Sequence, residues 1–349
     1  MTLQEASLQM TEQEYRDIPC ISFSLLQKYD REGFATLFQP DELSTPSLLF
    51  GSAVDCMITE GPEEFAKKFL VADIPKLSAT MQAIADQLVA EHSENTFVTV
   101  SDEKILQAAN DNSYQKNWKD ATRIQKIREE CSAYYNLMVS NSDKRILTES
   151  DYSDVTRAVE ALQTDKHTSH FFMGNDPFGS VERYYQLKFL SKPETLGGSI
   201  KGMLDLVCVD HANKTVHPCD LKTTKDIYTF EESFYKYRYY LQAAIYTWLI
   251  EQAIKEDCPE LQDYKIMPYK FIVIDRKIFQ PVVFEWTISN DVVDPYGKVR
   301  RNWLDLFEEV SDAISHYDRN LPPAWYREIS DKGFVTLKNY NNVFNKNQG

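Results

Sequence analysis

The stretch Gly202–Thr224, GMLDLVCVDHANKTVHPCDLKTT, decides how this chain is read. Two apolar segments flank the polar turn DHANKT (210–215), the pattern of a two-stranded hairpin. Most hairpins of this kind only fill a core. This one carries Asp205 in its first strand, and Asp220 and Lys222 on either side of Leu221 near the end of the second. Side chains alternate across a strand, so Asp220 and Lys222 share one face while Leu221 turns to the other. Asp205 lies on the partner strand, at a separation that a hairpin closes. Two facing carboxylates repel unless a cation lies between them. A hard divalent ion meets that need, since it takes a few carboxylate oxygens, a backbone carbonyl and several waters, and it suits phosphate substrates. Lys222 beside such an ion is no ligand. It can hold a water or a phosphate and offset charge in a transition state. Taken alone, the trio also suits a solvated strand edge with a surface ion pair worth little.

Working outward, residues 1–20 read as a loose leader, followed by a helix over ISFSLLQKYDREGFATLF (21–38), with Ser22 or Ser24 as its cap. Residues 46–72 read as a second helix, broken at Gly61-Pro62. From Leu77 to about His170 the chain is charged and helical in period, with segments that open on a capping Ser or Asp. The pattern changes at Phe178, where FGSVERYYQLKFL alternates and is rich in aromatics, as strands are. The hairpin follows, then a long helix over 230–254, two strands (YKFIVIDR and PVVFEWTI) and a last helix; the terminal NNVFNKNQG reads as frayed. Helices, three strands, a helix, two strands and a helix suit a mixed sheet with helices on its faces.

Composition sets limits. The 349 residues are 43% hydrophobic and 13% aromatic, enough for a large core. No apolar run is long enough for a membrane span, and the polar, acidic start lacks the layout of a secretory signal. The six cysteines form no CxxC pair, which argues against zinc ribbons. Reduced thiols and a cytoplasmic location, in a bacterium or a phage-infected host, are expected. Cys208 and Cys219 fall on the two hairpin strands and read as small core residues. A formal charge of −15 argues against broad coating of nucleic acid but leaves room for a confined basic groove around a metal site.

In chain order, G-S-A-V-D (51–55), Glu182, G-x-x-D (202–205), D-x-K-T (220–223) and Q-x-x-x-Y (242–246) resemble the PD-(D/E)XK nuclease core. The last element places Gln242 and Tyr246 on one helix face and resembles the exonuclease branch, which includes exonuclease VIII of prophage recombination systems and the lambda-type exonucleases. Upstream, ISFSLLQKY (21–29) and LLFGSAVDCMITEGPEEF (48–65) resemble the N-terminal elements of the exonuclease VIII type. The helical stretch after Leu77 reads as an insertion or subdomain from its period; the resemblance, which covers the N-terminal helices and residues 178–255, implies an α/β, restriction-endonuclease-like fold, a central mixed sheet flanked by helices. Its expected parts are N-terminal helices over 1–76, the insertion over 77–170, and the nuclease core with a C-terminal helix over 171–349.

The same resemblance implies roles. Asp205, Asp220 and the carbonyl of Leu221 would bind Mg²⁺, with Mn²⁺ as a substitute. Lys222 would activate or orient the water. Glu182 would orient water or a second ion, and Gln242 would contact Lys222 or the DNA backbone. Tyr246 would brace that helix, and Ser24 sits where relatives use a serine near the 5′ phosphate. Asp55 departs from the family pattern, which has His there; it would ligate metal in that residue's place, or the ligand is lost. The implied activity is metal-dependent exonuclease hydrolysis of linear double-stranded DNA, 5′ to 3′, in phage-type recombination or repair. Implied partners are duplex ends, a single-strand annealing protein and further copies of the chain. An endonuclease or repair nuclease on the same core, and a catalytically degenerate DNA-binding member, are the alternatives.

Overall fold

In this computed structural model the described residues are 1–38, 45–93, 96–174, 179–193, 197–315, 321 and 323–336. The leader is more ordered than its composition suggests. It forms two short helices, α1 (Leu3–Ala6) and α2 (Glu12–Asp17), each opened by a capping box: Thr2 with Glu5, and Thr11 with Glu14. Leu3 is fully buried. The chain continues through β1 (Ile21–Ser22) and α3 (Phe23–Glu32), where Ser22 is the cap and accepts from the Leu25 amide. Next come α4 (Pro46–Thr59), α5 (Pro62–Lys68), β2 (Phe69–Val71), α6 (Ala79–Glu91), α7 (Asp102–Asp111), α8 (Asp120–Ser140), β3 (Arg145–Leu147) and α9 (Glu149–Thr164). The last third holds β4 (Val181–Ser191), β5 (Ile200–Asp210), β6 (Thr215–Thr224), α10 (Phe230–Lys236), α11 (Tyr239–Asp257), β7 (Lys265–Ile266), β8 (Tyr269–Asp275), β9 (Pro281–Trp286), α12 (Trp303–Ser315) and α13 (Pro323–Lys332). Phe178 and the terminal NNVFNKNQG lie outside the described residues.

Two compact units divide these elements. One lies within Ser44–Asp165 together with Ile278–Gln280. It is mainly helical, with Met81, Leu88, Ile105, Ile127 and Tyr135 buried between α6, α7 and α8, and a short parallel pair of β2 with β3. Its described residues begin at Thr45, upstream of the helical stretch that the sequence marks from Leu77.

The other unit, within Met1–Leu43, Lys166–Lys277 and Pro281–Gly349, holds the mixed sheet with flanking helices that the sequence predicts. Among the described residues its strands run β1-β5-β6-β8-β9, with β4 also on β5 and β7 also on β6. β4 pairs with β5 along its whole length, so β1 and β6 must share the opposite edge of β5. β1 takes Ile200 and Lys201, and β6 takes Leu206–Asp210. Between them, 202–205 have no strand partner on that edge. From Asp220 onward β6 is paired only with parallel β8. The two hairpin strands therefore fork, and the first open rung is Asp205 opposite Asp220.

A shift in alternation accompanies the fork. Ile200 and Leu204 face the core, yet so do Val207 and Val209, so one residue is gained between them. The shift falls where the register skips Gln186 and Asp205, between the pairs Tyr185–Leu206 and Leu187–Leu204, and Gln186 adopts φ +53. The shift turns Asp205 toward the helix side, the way a bulge re-aims a side chain.

α11 covers that face. It is buried nearly all round, through Tyr240, Leu241, Ala243, Ile245, Leu249 and others. The predicted single helix over 230–254 is instead two, because Arg238 sits at φ 57, ψ 35 between α10 and α11. Its guanidinium donates from Nε to Asp30 on α3 at 2.6 Å and from Nη1 to the carbonyls of Tyr235 and Lys236. The ion pair and two capped carbonyls offset the roughly 1–2 kcal/mol of left-handed backbone. Lys201 does similar work on the leader: its buried ammonium donates to the carbonyls of Tyr15, Arg16 and Ile18 at 2.9, 2.8 and 2.7 Å, closing the end of α2.

The glycine of G-x-x-D has a packing reason. A Cβ on Gly202 would lie 2.5 Å from Leu249 Cδ1 and 3.1 Å from Tyr246 Cε1, so only glycine lets α11 approach β5 this closely. Gly202→Val should cost about 1–3 kcal/mol by overpacking. Urea denaturation checks this, and an unchanged midpoint would mean that the helix is not seated on β5 as described.

Candidate active site

Asp220 is fully buried, with 0% exposure, at the fork of β5 and β6. Gln242 of α11 donates from Nε2 to Asp220 Oδ1 at 2.6 Å. Lys222, two residues on and on the same face, brings Nζ to 2.5 Å from Asp220 Oδ2. The far side of the Lys222 ammonium lies over the Tyr239 ring, 5.0 Å from its centroid. Asp205 completes the group from β5. Its Oδ2 accepts the Leu221 amide at 3.2 Å, replacing the strand partner that this amide loses where the ladder stops. The backbone fork thus fixes both carboxylates, one on each prong. Leu221 follows Asp220 directly on β6, and its amide is the one that Asp205 holds.

Electrostatics follow from burial. Burial alone would push the Lys222 ammonium down, but Asp220, then Tyr239 and Asp205, outweigh it and hold its pKa above the usual lysine range. Lys222 therefore stays protonated at neutral pH and acts as a fixed cation and hydrogen-bond donor. Tyr246 and Tyr269 are buried beneath the carboxylates, and their phenols are pushed well up, first by burial and then by the charges of Asp205 and Asp220.

The donor set fits a divalent cation. Two carboxylates against one ammonium leave a formal deficit of positive charge. Gln242 Oε1 and the Tyr269 hydroxyl are buried without a well-directed hydrogen bond among the described residues, which is costly unless a ligand or ordered water meets them. Among the described residues no group of three or more His, Cys, Asp and Glu could hold a metal ion by itself. Two carboxylates and a carbonyl are nonetheless the kind of partial shell that Mg²⁺ accepts, with water and phosphate supplying the rest.

Not every predicted site residue joins this cluster. Glu182 does not, although it lies on a neighbouring strand. It pairs in register with Val209, four residues from Asp205, or about 13 Å farther along. There it accepts from the Tyr184 hydroxyl and lies 3.1 Å from His211 Nε2. Asp55 lies on α4, within the other unit. Ser24 is exposed in the first turn of α3, and the capping role belongs to Ser22. Tyr246 is buried under Gly202, with Phe23 edge-on at 6.4 Å. Two contributors escaped the sequence reading, Tyr239 and Tyr269. Neither sits at a diagnostic spacing, and only the register of β6 with β8 and the break at Arg238 brings them in.

A family model described as a PDDEXK-like domain of unknown function (DUF3799) matches residues 24–262, more than half of the chain. The chain belongs to this family. Membership in a PDDEXK-like family points to a nuclease and to DNA as substrate, and PDDEXK nucleases generally use divalent metals. The matched span includes Asp205, Asp220, Lys222 and Gln242. No curated protein matches the chain. A solved structure, described as the crystal structure of SSO0001, aligns over 74% of this chain and 96% of that one at 12% identity and a TM-score of 0.26, a likeness too small to argue from. Among the described residues no helix of this PDDEXK-like chain is long and apolar enough to cross a membrane.

Proposed function

We propose that this chain is a metal-dependent exonuclease that hydrolyses linear double-stranded DNA from its ends, 5′ to 3′, in phage-type recombination or repair. The observation that carries the reading is the open rung of the hairpin: Asp205 and Asp220 on opposite prongs, with Lys222 held against Asp220. Asp205, Asp220 and the Leu221 carbonyl would hold the ion, Mg²⁺ or Mn²⁺. Such an ion neutralises phosphate charge and lowers the pKa of a bound water. Lys222, protonated across the neutral range, holds the water or a phosphate oxygen by hydrogen bonding and stabilises the charge that develops there. Gln242 fixes the Asp220 carboxylate, and Tyr239 backs the Lys222 ammonium. The preference for ends, the polarity, the assembly into a homo-oligomer and the delivery of single strand to an annealing protein rest on the resemblance to the exonuclease VIII type.

The test is direct. With Mg²⁺, the chain should degrade linear 5′-phosphorylated duplex and leave covalently closed circles intact; EDTA should stop it. Opening of closed circles would transfer the assignment to an endonuclease. Activity that survives both EDTA and Lys222→Ala would remove the mechanism altogether.

A further inference from the structure

The parallel strands β6 and β8 end together. Thr224 pairs with Asp275, and the Arg276 amide donates to the Thr224 carbonyl at 2.8 Å. Lys225, Arg276 and Lys277 follow at once, so three cationic residues gather at the carboxyl ends of these strands, in a chain whose formal charge is −15. Lys222 lies toward the same end of β6. Ligands of open sheets are commonly met at the carboxyl ends of parallel strands.

The backbone beyond Lys225 is tightly held. Asp226 Oδ1 accepts the Tyr228 amide at 3.0 Å. Buried Asp275 accepts the Ile227 amide at 2.8 Å and the Lys277 amide at 2.6 Å. Ile227 points into the core, and Tyr228 beside it is 88% exposed, more than any other large hydrophobic side chain among the described residues. A turn fixed at its amides holds this ring in water on a segment that carries Lys225 and is tied through Asp275 to the strand end carrying Arg276 and Lys277, with Asp226, Glu231 and Glu232 as the acidic residues of the same segment. That combination, a ring whose face is free for a base and cations that track the phosphates, is how single-stranded nucleic acid is held without sequence preference.

We propose that Tyr228 is a stacking platform for a base of single-stranded DNA, with Lys225, Arg276 and Lys277 on the neighbouring phosphates, directly beyond the cleavage site. The inference rests on the nuclease reading and adds where the strand leaves the site. The platform is pre-formed, so binding does not have to order it first.

The test uses the full chain and a thymidine oligonucleotide carrying 2-aminopurine, with Ca²⁺ in place of Mg²⁺. Wild type should bind and quench the fluorescent base by stacking. Tyr228→Ala should weaken binding about fivefold or more, as loss of one base–aromatic stack does, and should abolish the quenching; Tyr228→Trp should restore both. Equal binding and quenching by wild type and Tyr228→Ala would overturn the proposal. So would self-association of the wild type that Tyr228→Ala abolishes, since a second copy of the chain would then cover this face. If Lys222-dependent cleavage of linear duplex persists while Tyr228→Ala binds normally, the platform falls and the nuclease reading stands. If the wild type neither binds nor cleaves, both fall.

Discussion

Lys222→Ala should abolish cleavage and also remove a large part of the stability of the fold. Asp220 is fully buried, with Lys222 Nζ at 2.5 Å and Gln242 as its other partner. Removing one partner of a buried ion pair leaves an uncompensated charge and costs about 3–5 kcal/mol, a sizeable share of a typical total of about 5–15 kcal/mol. Urea denaturation in EDTA is the measurement. The Lys222→Met, Asp220→Asn double variant should recover much of the loss, because no charge is then stranded. A Lys222→Ala protein as stable as wild type would show that the pair does not hold Asp220. The pH dependence follows from the direction of the shift. The folded-state pKa of Lys222 is raised, so its contribution is fully present below the unfolded lysine value of about 10.4. It is lost only as pH rises through the still higher folded value. Between pH 6 and 9 the contribution of Lys222 should therefore be constant.

The second large effect separates chemistry from folding. Asp205→Ala should abolish cleavage while leaving the fold nearly intact. Asp205 is half-buried and accepts the Leu221 amide at 3.2 Å; its loss leaves that amide unpaired at a cost of about 1–3 kcal/mol, less than stranding Asp220. As a proposed metal ligand it matters far more: activity should fall by more than about 100-fold, since even residues that only orient metal ligands cost about 10- to 100-fold. Added Mg²⁺ at about a hundred times its Kd should stabilise wild type by about 2.7 kcal/mol and leave Asp205→Ala unmoved. Thermal melts with and without Mg²⁺ read this out. An equal response in both proteins would exclude Asp205 as a ligand.

What the sequence revealed, and what it hid, divides by the range of the interactions. The hairpin, its two carboxylates and Lys222 were legible because alternation and turn chemistry are local. Gln242 was legible because helix faces repeat. The capping boxes Thr2 with Glu5 and Thr11 with Glu14 were equally local, and the leader reading passed over them. Glu182 stands apart from the cluster for a different reason: motif order places it on this strand but says nothing of register, and register pairs it with Val209, four residues from Asp205. The break at Arg238 was hidden because an arginine in a left-handed conformation depends on Asp30, about two hundred residues away. The same holds for Lys201, whose three carbonyl partners lie in the leader.

The oxygen of Asp205 that receives the Leu221 amide is also one that, in the proposed role, would meet a cation. Whatever draws that carboxylate inward slackens its hold on the amide, so the place where the hairpin unzips is linked to cargo. Solvent exchange at a single peptide NH, that of Leu221, would then register loading from within the backbone itself.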